Sequence, residues 1–257
     1  MVDRFSVHQK HIHVTGASSG LGRHFVTMLA GQGARVSFGA RRLDRIVSLA
    51  QDLNEAGHEA FSVACDVTSE GSIVAAISSS EDAFGPIDVL INNAGTSIPK
   101  PVLETTLDEW NAVLDTNLGG VWIASQEVAR RAVGRGRACS IINIASIAGI
   151  RTYARVSAYV ASKAAVIQLT KNMAVELARQ NVRINAIAPG FFDTELGEEF
   201  RKHNPDRRRE QVERIPMGRV GEHAELDGAV MLLASDASSY MTGSVIVVDG
   251  GHAESGL

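Results

Sequence analysis

Two cysteines in 257 residues leave little scope for covalent cross-linking. Cys65 and Cys139 each stand beside a run that reads as a buried strand, so two reduced core thiols are expected rather than a disulfide or a metal site. A large excess of one charge sign is missing too. Twenty-five Lys and Arg against 29 Asp and Glu give a formal net charge of −4, and no global basic field points to nucleic acid or an anionic membrane. No apolar run reaches about 18 residues, and residues 1–10 lack an apolar h-region; neither a membrane span nor a signal peptide is expected, and the cytoplasm is the default location. Repeats, low-complexity tracts and linkers are absent as well. What remains is an ordinary globular balance, 45% hydrophobic and 21% charged, in a chain long enough to bury one large core as a single domain over 1–257.

Short apolar runs alternate with longer amphipathic ones. Strands are predicted at 12–14, 35–38, 60–65, 87–91, 140–144, 182–188 and 245–248. Helices are predicted at 21–32, 43–56, 71–84, 107–118, 121–133, 157–179 and 224–234; in the first, Leu21, Phe25, Met28 and Leu29 share one face. Continuous β-branched runs suit strands buried on both faces, and strand–helix alternation implies parallel strands joined by right-handed crossovers. The expected fold is therefore α/β: a Rossmann-like, doubly wound parallel sheet with helices on both faces. One stretch breaks the rhythm, the polar segment 191–221 with Pro205, Pro216 and Arg207-Arg208-Arg209. The arginines read as a solvated helix face. The segment follows a strand's carboxyl end, where ligands bind in such sheets, so a mobile substrate lid is expected there.

Between the first strand and first helix stands Thr15-Gly16-Ala17-Ser18-Ser19-Gly20-Leu21-Gly22. Glycine tolerates positive φ and close backbone approach, and a helix starting at Leu21 offers free N–H groups to a pyrophosphate. The same residues fit Gly-x-Ser-x-Gly, the nucleophile elbow of a serine hydrolase using Ser18, with His252 and Asp249 as conceivable partners. That elbow would come very early in the chain, and no oxyanion loop accompanies it.

Further motifs follow: Asn92-Asn93-Ala94-Gly95 after the fourth strand, Ser146 after the fifth, Tyr159-x3-Lys163 on the long helix and Pro189-Gly190 after the sixth. With the glycine loop, in this order, they make residues 10–251 resemble the short-chain dehydrogenase/reductase family. The resemblance implies a catalytic tetrad of Asn117, Ser146, Tyr159 and Lys163. It also implies cofactor contacts from Gly16, Ser18, Ser19, Gly20, Leu21, Gly22, Asp66, Val67, Asn93, Ala94, Gly95, Tyr159, Lys163, Pro189, Gly190, Phe192 and Thr194. The substrate lining it implies is Ser146, Ala148, Tyr153, Tyr159 and Phe191. Residues four apart on a helix share a face, so Lys163 is expected to lower the phenol of Tyr159 from about 10 toward neutrality for proton exchange with a substrate oxygen. Ser146 would hydrogen-bond that oxygen, while Lys163 would also hold the nicotinamide ribose and Asn117 anchor a water. A non-catalytic cofactor sensor is the other alternative, but it would need the glycine loop and not the proton donor.

After the second strand an acid would accept from an adenosine ribose 2′-hydroxyl; here Ala40-Arg41-Arg42 stands instead, and an arginine fork suits a 2′-phosphate. Asp44 reads as a helix N-terminal residue. NADP(H) is thus expected over NAD(H), with Arg41 and Arg42 as phosphate ligands. The small substrate is a neutral ketone or alcohol by its apolar lining, or an anionic or carrier-linked one if Arg151 and Arg155 take part. Within the family, 3-oxoacyl thioesters, sugars, steroids and small ketones are all reduced. The resemblance further implies a homotetramer or homodimer through 245–251. His11 and His13 alternate on the first strand and have no catalytic case.

Overall fold

Seven short β-branched runs pair into one parallel sheet in the computed structural model, which describes residues 3–193, 209 and 212–255. The strands are β1 (His11–Thr15), β2 (Arg35–Ala40), β3 (Ala60–Ala64), β4 (Val89–Asn92), β5 (Cys139–Ile144), β6 (Val182–Pro189) and β7 (Val245–Val248). Their order is β3-β2-β1-β4-β5-β6-β7, every pair parallel. The connecting helices are α1 (Gly20–Gly31), α2 (Leu43–Glu55), α3 (Glu70–Phe84), α4 (Leu107–Leu114), α5 (Gly120–Gly134), α6 (Ser157–Leu177) and α7 (Asp227–Ala234).

Side chains alternate across each strand, and the core divides accordingly. Val89, Ile91 and Ile142 point to a layer with Phe25 and Leu29 of α1, Ile46 and Leu49 of α2, and Val230 and Leu233 of α7. Leu90 and Ile141 point the other way, to Ile73 and Ile77 of α3, Val128 of α5 and Met173 of α6. Full burial of each such side chain stabilises the fold by about 1.5–3 kcal/mol. Both cysteines are free and buried.

The chain departs from the expected pair of helices over 107–118 and 121–133. Helix α4 runs through a π-helical turn, Asp115–Gly119, straight into α5. Gly119 and Gly120 break nothing; a Cβ on Gly120 would lie 2.8 Å from the Val67 carbonyl oxygen, so its bareness permits close packing. The extra residue of the turn carries Asn117 into the interior. The helix expected at 224–234 begins as a 3₁₀ turn, His223–Leu226, before α7.

Strand β1 buries two histidines on its polar side. His11 Nδ1 lies 2.7 Å from the Gly85 carbonyl and so carries the proton. Its Nε2 therefore accepts from the Ser37 hydroxyl at 2.7 Å, and that oxygen accepts from His13 Nδ1 at 2.9 Å. Burial pushes His13 down to about 3 and lowers His11 as well. A histidine depressed in the folded state contributes stability that is complete above its ordinary value of about 6.5 and is lost as pH falls below it. For His13 the loss is about 1.4 kcal/mol per pH unit down to about pH 3. Urea unfolding measured from pH 7 to 5 should show a falling midpoint before carboxylates titrate; a flat midpoint over that range would contradict this.

Candidate active site

The strand order reverses between β1 and β4, so their connections lead to opposite sides and leave a crevice beyond their carboxyl ends. The glycine loop enters it from β1. Gly16 has φ +72°, and a Cβ there would stand 2.6 Å from Ala94 Cα. Asn93 joins the two strand ends: its Nδ2 donates to the Thr15 and Gly16 carbonyls at 3.1 Å, while the backbone N–H groups of Asn93 and Ala94 donate to Thr15 Oγ1. Ser19 is the N-cap of α1 and makes no side-chain capping bond, leaving first-turn N–H groups to face the cleft. Arg42 folds over this loop: its Nη2 donates to Ser18 Oγ at 2.9 Å and Ser19 Oγ at 2.7 Å. Asp66 is held by Thr68, whose N–H and hydroxyl both donate to Oδ1, and these bonds hold its carboxyl below the usual range.

Farther along the crevice, Ser146 ends the β5 loop and accepts from the Ala148 N–H at 3.1 Å, capping a 3₁₀ turn at Ile147–Gly149. Its hydroxyl also hydrogen-bonds Tyr159. On α6, the Lys163 ammonium lies 5.7 Å from the Tyr159 ring centre and donates to the Ile144 carbonyl at 2.7 Å. Asn117, fully buried, accepts from the Thr96 N–H at 2.7 Å and donates to the Thr96 carbonyl and Ser162 Oγ. Gly95 separates it from Lys163: a Cβ on Gly95 would lie 3.4 Å from Asn117 Oδ1 and 3.7 Å from Lys163 Nζ. Burial pushes Lys163 down to about 8. Tyr159 departs from the sequence expectation. Its phenol is raised, because burial penalises the phenolate more than the Ser146 hydrogen bond favours it.

A family model described as enoyl-(acyl carrier protein) reductase, one of the short-chain dehydrogenase models, matches residues 16–253. The chain belongs to the short-chain dehydrogenase/reductase family. It is similar to gluconate 5-dehydrogenase of Gluconobacter oxydans, 36% identical over 97% of this chain and 96% of the relative. It is also similar to 3-oxoacyl-(acyl-carrier-protein) reductase of Thermotoga maritima, 37% identical over 93% of this chain and 95% of the relative. The structure of a gluconate 5-dehydrogenase from Burkholderia cenocepacia in complex with NADP and tartrate superposes with a TM-score of 0.92, at 34% identity over 99% of each chain. This chain is thus an NAD(P)-dependent oxidoreductase of the short-chain family.

Within that frame the expected residues fall into place unevenly. Gly16, Ser18, Ser19, Gly20, Leu21, Arg41, Arg42, Asp66, Val67, Asn93, Ala94, Gly95, Ser146, Tyr159, Lys163, Pro189, Gly190 and Phe192 all line one cleft. Gly22 does not; a Cβ there would meet Asn93 Nδ2 and the Gly16 carbonyl at 2.4 Å, so it serves close helix–loop packing. Thr194 lies outside the described residues, as does most of the expected lid, 194–208 and 210–211. Of the three consecutive arginines only Arg209 is described, exposed and 3.7 Å from Glu213. Tyr153 and Phe191 pack edge to face at 5.9 Å beside the cleft, and Ala148 is buried in the turn after Ser146. The residues that sequence reasoning missed are Cys65, Thr116 and Ala145, each next to one it named, and Ile144, two before Ser146. A buried amide ladder was missed as well: Asn92 Nδ2 donates to Asn143 Oδ1 and Ser125 Oγ, and Asn143 Nδ2 to Thr170 Oγ1. Only the single polar letters inside apolar strands hinted at it. Among the described residues no cluster of metal-ligating side chains occurs, and no helix is long and apolar enough to cross a membrane.

The hydrolase alternative finds no support in this geometry. Ser18 is held by Arg42, no histidine among the described residues hydrogen-bonds it, and the Asp249 carboxylate accepts backbone N–H groups of Gly251 and Ala253 rather than orienting His252.

Proposed function

We propose that this chain moves a hydride between NADP(H) and a carbonyl or secondary alcohol of a small hydroxy acid. The observation that carries the hydride reading is the convergence, in one cleft, of the α1 N-terminus with Ser146, Tyr159 and Lys163. The cradle fits a dinucleotide: the bare Gly16 admits the chain closely, and unspent N–H groups of α1 meet a pyrophosphate. Arg42, gathered with Ser18 and Ser19, and the exposed Arg41 beyond it would hold a 2′-phosphate. A nicotinamide bound there supplies or accepts the hydride.

The chain's own residues do the rest. Tyr159, raised by burial, is a neutral phenol near pH 7 and donates its proton to the carbonyl oxygen during reduction. Ser146 hydrogen-bonds the same oxygen and aims the carbonyl carbon. Lys163 holds the ribose, and Asn117 fixes the loop after Gly95 through its hydrogen bonds with Thr96. The two intact proton-handling groups disfavour a cofactor sensor. The hydroxy-acid reading is supported by the gluconate 5-dehydrogenases among both the sequence relatives and the solved structures, and by Arg151 and Arg214, which together with the opposing Asp249 carboxylate set the charge around Tyr153. The two free cysteines fit a cytoplasmic home, and β7, an edge strand with Val247 41% exposed, offers a face for a homodimer or homotetramer. The test is NADPH absorbance loss against 5-keto-gluconate, a 3-oxoacyl thioester and neutral ketones, with an ester as control. Turnover of the keto acid is expected; ester hydrolysis without NADPH loss would sink the proposal.

A further inference from the structure

A buried polar side chain beside Phe191 and Tyr153 has no part in the proposed reaction. His252 belongs to the tail after β7 and is 7% exposed. Its ring lies over Phe191, centres 5.1 Å apart, and meets the edge of Tyr153 at 6.0 Å. The tail is bound to the catalytic loop: the Arg151 guanidinium, four residues beyond the start of the Ser146 turn, donates to the Ala253 and Ser255 carbonyls. It is also pressed against the Pro189-Gly190 turn, where a Cβ on Gly190 would lie 2.6 Å from Asp249 Cβ. His252 is therefore fixed against Phe191 and Tyr153, the aromatic pair beside the cleft.

Its Nδ1 is buried with no hydrogen-bond partner. A proton there would be a buried donor without an acceptor, the costlier of the two ways to leave that atom unpaired. The proton therefore sits on Nε2, which has no hydrogen-bond partner among the described residues and is not among the sealed atoms. Burial lowers the imidazole's proton affinity, with Arg151 and Arg214 adding to that effect and Asp249 opposing it. The ring is a neutral, rigidly packed N–H donor with two guanidinium groups near it.

We infer that His252 is a specificity-determining residue that donates its Nε2–H to the carboxylate of the substrate, at the end remote from the reacting carbon. Arg151 and Arg214 supply positive charge there, which the Asp249 carboxylate opposes. This rests on the hydroxy-acid reading above and names the residue that enforces it. It makes no contact with the transferred proton, so its loss should act on binding of the acid and leave the chemical step largely intact.

Gluconate and D-glucitol form a matched pair, differing only in a carboxylate against a hydroxymethyl group. Each is measured in wild type, His252→Leu and His252→Gln, as substrate with NADP+ and as competitor against NADPH-dependent reduction of an uncharged ketone. His252→Leu should raise the KM or inhibition constant of gluconate about tenfold or more, with kcat on the neutral ketone within about threefold. His252→Gln, which restores an N–H donor, should recover part of that loss, and thermal melting of both variants separates a lost contact from a lost fold. If gluconate inhibits wild type but is not turned over, the substrate proposal fails while the role of His252 stands. If wild type treats the two polyols alike, or the leucine variant weakens both equally, the assignment of His252 is wrong.

Discussion

Replacing Tyr159 by phenylalanine should lower kcat about a hundredfold or more and leave the dissociation constant for NADPH nearly unchanged. The phenol is the acid proposed to reach the carbonyl oxygen, and its ring still fills the same half-buried place on α6 in the variant. The pH dependence carries a sign. With the phenol raised, reduction should stay level through neutral pH, whereas alcohol oxidation needs the phenolate and should climb into the alkaline range. Lys163→Ala should differ in kind, weakening NADPH binding in a fluorescence titration as well as slowing turnover. Near-normal turnover in Tyr159→Phe would remove the proton-donor role, and unchanged binding in Lys163→Ala would remove the ribose role.

The second large effect is cofactor choice. Wild type should favour NADPH over NADH in kcat/KM by about ten- to a hundredfold, as expected of a charge-assisted arginine–phosphate contact of about 1.5–3 kcal/mol. By sequence Arg41 and Arg42 are equal candidates; the structure moves the weight to Arg42, whose guanidinium is already gathered with Ser18 and Ser19 at the loop. Arg42→Ala should therefore abolish most of the preference, Arg41→Ala less of it, and rising salt should erode what remains. Ala40→Asp should reverse the preference, since a carboxylate at the end of β2 accepts from a 2′-hydroxyl and repels a phosphate. A wild-type kcat/KM for NADH equal to or above that for NADPH would return both arginines to the role of surface charges.

The sheet was legible because its central strands are buried on both faces. Runs such as Val89–Asn92 and Cys139–Ile144 have no polar face to confuse the pattern, and the helices between them do. The site was legible where chemistry dictates a residue type at the end of a strand: Gly16 for an approach no Cβ permits, Tyr159 and Lys163 for a shared helix face. The reading failed where tertiary contacts override local preference. Asn117-x-Gly119-Gly120 looks like a helix break, and only the packing of Gly120 on Val67 and of Asn117 on Thr96 and Ser162 sustains a π turn there. The lowered phenol was a local inference from i and i+4 spacing; at 5.7 Å from the ring centre the ammonium is bound to the Ile144 carbonyl, and burial decides the sign. Nothing in the order of residues could bring His252 beside Phe191 and Tyr153, because that contact joins a tail, a loop and a strand end far apart in the chain.

The central claim, direct hydride transfer in this cleft, is tested most directly by isotope tracing. The enzyme is given NADPH deuterated at C4 of the nicotinamide, on one face or the other in separate reactions, together with a ketone that it reduces. The account predicts an alcohol carrying one deuterium on its carbinol carbon from one of the two labelled cofactors and none from the other. An unlabelled alcohol from both cofactors, with NADPH consumed, would contradict it.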